Sequence, residues 1–162
     1  MITKFKLFEN EKLPVIYLSY DFEGSRYESD RIDFIDFIKD KNPNIIDSEG
    51  EPLIFNVYHN EHLNREERYK IFKLMIDNGL DVDVSIEDGN TILIEIANED
   101  EDDVDFDLLY LLIDAGADWN LMPLGYTFID ALYDDEQEVI INKYPEKYQK
   151  YIREKQARKF NI

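Results

Sequence analysis

The chain holds only two histidines, and they stand three residues apart with a carboxylate between them: His59, Glu61 and His62 in the string HNEH. On a helix that spacing turns two imidazoles to one side, where they could share a metal ion, but a zinc centre ordinarily draws on a third protein ligand. The string also lies in a polar stretch between apolar ones, so a solvated connection is the better reading. A second candidate is the run Glu99, Asp100, Glu101, Asp102, Asp103. A calcium loop alternates its ligands around a central glycine, and this run does neither, so it reads as self-repelling surface. No cysteine is present, which removes thiolate nucleophiles, cysteine-bound zinc and disulfides. The six glycines form neither a phosphate-cradling loop nor a Gly-x-Ser-x-Gly nucleophile turn. Acids are so common that chance supplies every carboxylate spacing, and no acid/base pair stands out. The expectation is a protein that is not an enzyme and needs no cofactor or metal.

Charge points towards binding instead. Against 37 Asp and Glu there are 18 Lys and Arg, a net charge of −19, and such a field repels nucleic acid and anionic membranes while favouring a basic protein partner. Solubility alone would also account for the acidity. The excess is uneven. Residues 145–162 carry six basic side chains (Lys147, Lys150, Arg153, Lys155, Arg158, Lys159) against Glu146 and Glu154, a net +4 that leaves −23 on the rest. The 162 residues, 44% apolar with ten Phe and eleven Tyr, suffice for a continuous core in one folded unit. No stretch approaches the roughly 20 apolar residues of a membrane span, and the start lacks an apolar signal core, so a cytoplasmic protein is expected.

The elements that would position these residues emerge from internal repetition. LMIDNGLDVD (residues 74–83) returns as LLIDAGADWN (residues 111–120), a shift of 37 residues that keeps an apolar pair, Ile-Asp, Gly and a second Asp. A degenerate copy, FIKDKNPNIID (residues 37–47), places Asn42 where the others have Gly79 and Gly116. Asn is the residue other than glycine that best tolerates a left-handed backbone. A second shared element follows each: EGEPLIFNV, DGNTILIEIA and LGYTFIDAL, with Gly50, Gly89 and Gly125 aligned. The pattern predicts a helix ending in a left-handed cap at Gly79 and Gly116, then an extended turn, then a second glycine turn into the next helix. Thr91 and Thr127 suit that helix's N-cap, and Pro52 suits its start.

These residues resemble the ankyrin repeat, which runs from a glycine turn and Thr-Pro-Leu through a short helix to a Leu-rich helix ending in Gly-Ala-Asp. Residues 111–120 come nearest to it. Ile92 and Phe128 stand where the family has Pro, no copy has the usual His after the Leu, and the glycine spacings of 36 to 39 exceed the family period of about 33. The excess lies in polar insertions between paired helices, residues 59–66 and 98–105. What the resemblance implies is a mainly α fold: an ankyrin-repeat solenoid of stacked helix pairs over residues 33–144. Residues 1–32 would form an N-terminal cap with one or two short strands in FKLF and VIYLSY. Residues 145–162 would supply a capping helix and basic tail, with Tyr144, Tyr148, Tyr151 and Ile152 on one helical face.

The same resemblance implies a partner surface on the projecting turns. There the candidates are Asp81, Asp83, Ile86, Glu87 and Asp88 in one turn, and Asp118, Trp119, Leu121 and Met122 in the next. Exposed apolar groups in the second turn would be costly without a partner. Trp119 has two readings: an interface anchor, since Trp is enriched in the residues that dominate binding energy, or a side chain packed beneath the turn against the C-terminal cap. By analogy, the expected function is that of an acidic immunity or inhibitor protein covering a basic toxin or nuclease. The alternatives are a DNA mimic that inhibits a DNA-binding or restriction enzyme, which needs regular acidic rows, and a generic ankyrin adaptor.

Overall fold

Polar N-caps at Asn64, Thr91 and Asp105 start three of the helices, and glycines at residues 79 and 116 end two. The computed structural model describes Val15–Ile16, Ile32–Asp33 and residues 42–47, 50–61, 63–100, 103–122 and 125–159, which are mainly helical. They belong to two units, residues 1–87 and 88–162.

In the first unit, helix α1 (Leu53–Tyr58) follows Pro52 and buries all of its residues, as a helix apolar all round must. Helix α2 (Arg65–Asp77) opens on a reciprocal cap: Asn64 Oδ1 accepts from the Glu67 N–H at 3.0 Å, and the Glu67 carboxylate accepts from the Asn64 N–H at 3.1 Å. Ile71, Phe72, Leu74 and Met75 form its buried face. That face packs on α1, with Tyr58 and Phe72 edge to face at 6.5 Å. The Asn44 amide ties the first, degenerate copy to the next turn. Its oxygen accepts from the Asp81 N–H at 2.6 Å, and its nitrogen donates to the Gly79 carbonyl at 3.0 Å. Strands β1 (Val15–Ile16) and β2 (Ile32–Asp33) pair antiparallel over two residues each. Strand β1 falls within VIYLSY, while FKLF and the remainder of residues 1–32 but for Ile32 lie outside the described residues.

The second unit contains α3 (Ile92–Ala97), α4 (Phe106–Ala115), α5 (Phe128–Ala131), α6 (Asp134–Lys143) and α7 (Pro145–Lys159). Thr91 Oγ1 accepts from the Ile94 N–H, and Asp105 Oδ1 from the Leu108 N–H, at the starts of α3 and α4. Helix α3 packs on both α4 and α5, and α6 packs on α7, so successive helix pairs are layered. Leu108, Leu109, Leu112 and Ile113 of α4 are fully buried, as are Ile92 and Ile96 of α3. The insertions that lengthen the repeat do connect α1 to α2 and α3 to α4. One boundary differs from the sequence reading. Tyr144 is the joint between α6 and α7 and not part of the last helix, because Pro145 has no N–H and starts a new one.

The aligned copies close by the same bonds. After α2, the Gly79 N–H reaches Ile76 O at 3.0 Å and the Leu80 N–H reaches Met75 O at 3.0 Å; after α4, the Gly116 N–H reaches Ile113 O at 3.2 Å and the Ala117 N–H reaches Leu112 O at 3.1 Å. This pair of reverse bonds is the Schellman ending, which needs a left-handed residue, and φ is +91° at Gly79 and +110° at Gly116. Two residues on, Asp81 Oδ1 accepts from the Asp83 N–H at 3.0 Å, and Asp118 Oδ1 accepts from the Asn120 N–H at 2.9 Å. No atom lies within 4 Å of a Cβ built on Gly116, so a side chain there would meet conformational strain alone. Gly116→Ala is therefore expected to lower the unfolding free energy by about 1 kcal/mol, read from urea denaturation. An unchanged midpoint would contradict this origin of the helix end.

Candidate partner-binding site

The two candidate turns are built alike, each closed by the side chain of its first Asp. In the first unit Asp81 is exposed, Val82 is buried, Asp83, Val84 and Ile86 are half-buried, and Glu87 is exposed. In the second unit Asp88 is exposed, and its Oδ1 accepts from the Asn90 N–H at 2.9 Å, closing the turn into α3. Further along, Asp118 is exposed, Asn120 and Leu121 are half-buried, and Met122 is 39% exposed.

Trp119 is corrected from a candidate contact residue to a core residue. It is 5% exposed, and its indole meets Phe128 edge to face at 5.1 Å and Tyr144 at 6.2 Å. The physical reason is the shared turn: Trp119 occupies the station of Val82, the residue that follows the turn-closing Asp, and Val82 is also buried. The indole N–H is buried with no hydrogen-bond partner, a cost accepted for ring burial. With Trp119 inside, the apolar atoms that the described part of the second turn leaves exposed are those of Leu121 and Met122.

Sequence reasoning missed a polar cluster between this turn and α7. Arg158 donates from Nη1 to the Asn120 carbonyl at 3.0 Å and from Nη2 to its side-chain oxygen at 2.8 Å. Asn120 Nδ2 donates to Glu154 at 2.6 Å. On α5, Asp130 Oδ2 accepts from both the N–H and the hydroxyl of Thr127, at 3.1 and 2.9 Å, while Oδ1 receives the Lys155 ammonium. Lys155 also donates to the Tyr151 hydroxyl at 2.9 Å. Burial alone would push the Asp130 carboxyl up, but the Lys155 ammonium and the two Thr127 donors overcome it and hold the group below the usual carboxylate range. The Asp130 carboxylate in turn raises the Lys155 ammonium, with help from Tyr151. The available signal was the ring of basic residues around Tyr151; nothing in the sequence named Asp130 or Asn120 as their acceptors. Beside this cluster, Tyr144 donates to Asp114 at 2.9 Å, and burial, with that carboxylate, pushes its phenol up.

His59 is exposed and meets the Tyr58 ring at 5.2 Å, whereas His62, Glu101 and Asp102 lie outside the described residues. Among the described residues no three His, Cys, Asp or Glu side chains come together as a metal-ligand group. No helix of the described residues is long and apolar enough to cross a membrane. No family model matches the chain, and neither a curated protein nor a solved structure matches it.

Two outcomes follow from this geometry. Trp119→Ala is expected to cost about 3 to 5 kcal/mol of stability, the usual range for emptying a large aromatic site; urea unfolding that shows no loss would return Trp119 to the surface. The folded pKa of Asp130 is lowered, so its stabilisation is complete above the unfolded value of about 3.9 and is lost as pH falls through the folded one. Lys155 mirrors it: its contribution is complete below about 10.4 and is lost as pH rises through its raised folded value. Asp130→Asn should weaken both limbs of a stability-against-pH curve, and identical curves for the two proteins would exclude the pair as their source.

Proposed function

We propose that the helix pairs are degenerate ankyrin-type repeats and that the chain is a non-enzymatic binding module whose acidic turns take a basic protein. The leading instance is an immunity or inhibitor protein that covers a basic toxin or nuclease. The matched Schellman endings and Asx turns of residues 76–83 and 113–120, and the layering of α3 on α4 and α5, support the repeat reading.

One observation carries the partner reading. In the first unit Asp81 and Glu87 reach the surface while Val82 stays inside, and in the second Asp88 and Asp118 do so while Trp119 stays inside, so each turn by itself offers carboxylates first and apolar atoms second. Ile86, Leu121 and Met122 supply the partly exposed apolar atoms beside those charges. Carboxylates arrayed this way speed encounter with a cationic surface and enforce the choice of partner, whereas affinity comes from the few groups that desolvate fully. A protein that grips phosphates presents Lys and Arg, which is the complement required.

The test is capture at low salt followed by titration of the captured protein. Affinity is expected to fall at least about tenfold between roughly 0.05 and 0.5 M salt, because the Debye length drops well below the spacing of surface charges. Asp83→Lys with Asp88→Lys should weaken binding by a similar factor in a chain that still unfolds cooperatively, the Asp88 change costing about 1 kcal/mol for the lost turn bond. A flat salt response, or full affinity in the double variant, would remove these turns from the interface.

A further inference from the structure

Helix α7 is held differently from the helices it covers. Of its 15 residues only Tyr151 is buried, with Tyr148, Ile152 and Ala157 half-buried beside it. The Tyr151 hydroxyl lies 3.0 Å from Thr127 Oγ1 and 3.3 Å from Asp130 Oδ2. Three cations flank that ring at −4, +4 and +7 positions, which is one helical face. Lys147 donates to the Ile113 carbonyl at 2.6 Å, Lys155 to Asp130, and Arg158 to Asn120, with the Met122 sulfur at 3.2 Å. The exposed outer face carries Gln149, Arg153 and Gln156. A helix that served only to close a stack would turn apolar residues inward and charges outward. Here three of the six cations, Lys147, Lys155 and Arg158, reach across to acceptors on other elements of the unit. The fit is also incomplete: a cleft of about 550 Å³ remains between α7 and the 116–120 turn, lined by Asp118, Trp119, Lys147, Lys150, Tyr151 and Glu154 among others.

We propose that the surface beneath α7 is a docking site for a basic amphipathic helix, which the chain fills with its own C-terminal helix and yields to a partner helix of like pattern. Its components are the 118–122 turn, the Ile113 carbonyl and the Thr127 to Asp130 cluster. The pattern it recognises is an aromatic residue with Lys four and Arg seven positions further on. This deepens the reading of a basic protein partner and rests on it. A buried Tyr with a charge-assisted Arg beside it is the composition of an interface hot spot. The cis helix prevails in the resting protein because tethering gives it an effective concentration in the millimolar range.

The test uses the full chain and a labelled synthetic peptide of residues 145–159. Lys155→Glu with Arg158→Glu in the chain should repel its own α7 from Asp130 and Asn120, and the peptide should then bind at least about tenfold more tightly than it binds the unaltered chain. A peptide carrying Tyr151→Ala should bind neither. Peptide affinity equal for the two chains, or unaffected by loss of the tyrosine, would overturn the proposal. If the double variant does not fold, hydrogen exchange on the unaltered chain decides. Exchange across Pro145–Lys159 should rise about tenfold between roughly 0.05 and 0.5 M salt while that of Phe106–Ala115 holds, since screened contacts weaken and apolar ones do not. Equal protection of α7 in both salts would overturn it. Capture of a basic protein without peptide exchange would sink the docking site alone. Peptide exchange in a chain that captures nothing would leave the site standing and overturn the partner reading.

Discussion

A six-residue helix that is apolar on all sides cannot stand at a surface. LIFNVY in α1 is buried throughout, and ILIEIA in α3 is buried at every position except the half-exposed Glu95. Such short helices are marginal by propensity, so covering them with neighbours supplies their stability. That demand fixes much else. It requires a second helix close by, which α2 gives to α1 and α4 gives to α3, and it requires tight ends so that the chain returns without spending core residues on a loop. The glycine endings at residues 79 and 116 and the Asx turns after them are the local means.

A layered structure must also stop, and a single exchange of residue type marks the stop. Ile94, 2% exposed, lies on α3 between other helices; Asp130 takes the corresponding place on α5 and receives Lys155, Thr127 and Tyr151 instead of an apolar neighbour. A carboxylate can tolerate partial burial there because each of its oxygens is hydrogen-bonded and a cation sits against it. The consequence is that the end of the second unit is closed by charge and one aromatic ring. Closure of that kind responds to salt and pH more than an apolar seal would.

The charge asymmetry of the chain has a corresponding physical sense. Its basic excess lies in residues 145–162, and Lys147, Lys155 and Arg158 spend their charge on acceptors of the same unit. The acidic side chains of the turns point outward. Of the three cations only Lys155 meets a carboxylate, Lys147 and Arg158 being held by neutral oxygens, while the acidic side chains of the turns stay available to long-range attraction, which acts on encounter before any contact forms.

The repeat register, the helix ends and the polar connections were legible in the sequence, because each follows from local chemistry. Glycine marks a left-handed cap, an Asp two residues on closes the next turn, and polar insertions cannot be buried. The acidic residues of the candidate turns were legible for the same reason, since a carboxylate in a turn goes to solvent. What tertiary structure alone decided was which side of the turn each apolar residue faces and which acceptors the basic helix finds. Trp119 could by type anchor an interface or pack beneath its turn, and the fold decides for the second: like Val82 it is buried, against Phe128 and Tyr144. Nothing local singles out Asp130 and Asn120; only the return of α7, from residues 21 to 38 positions away in sequence, made them the seat of a cationic helix. Pairings over that distance depend on where the chain comes back, and no local pattern encodes it.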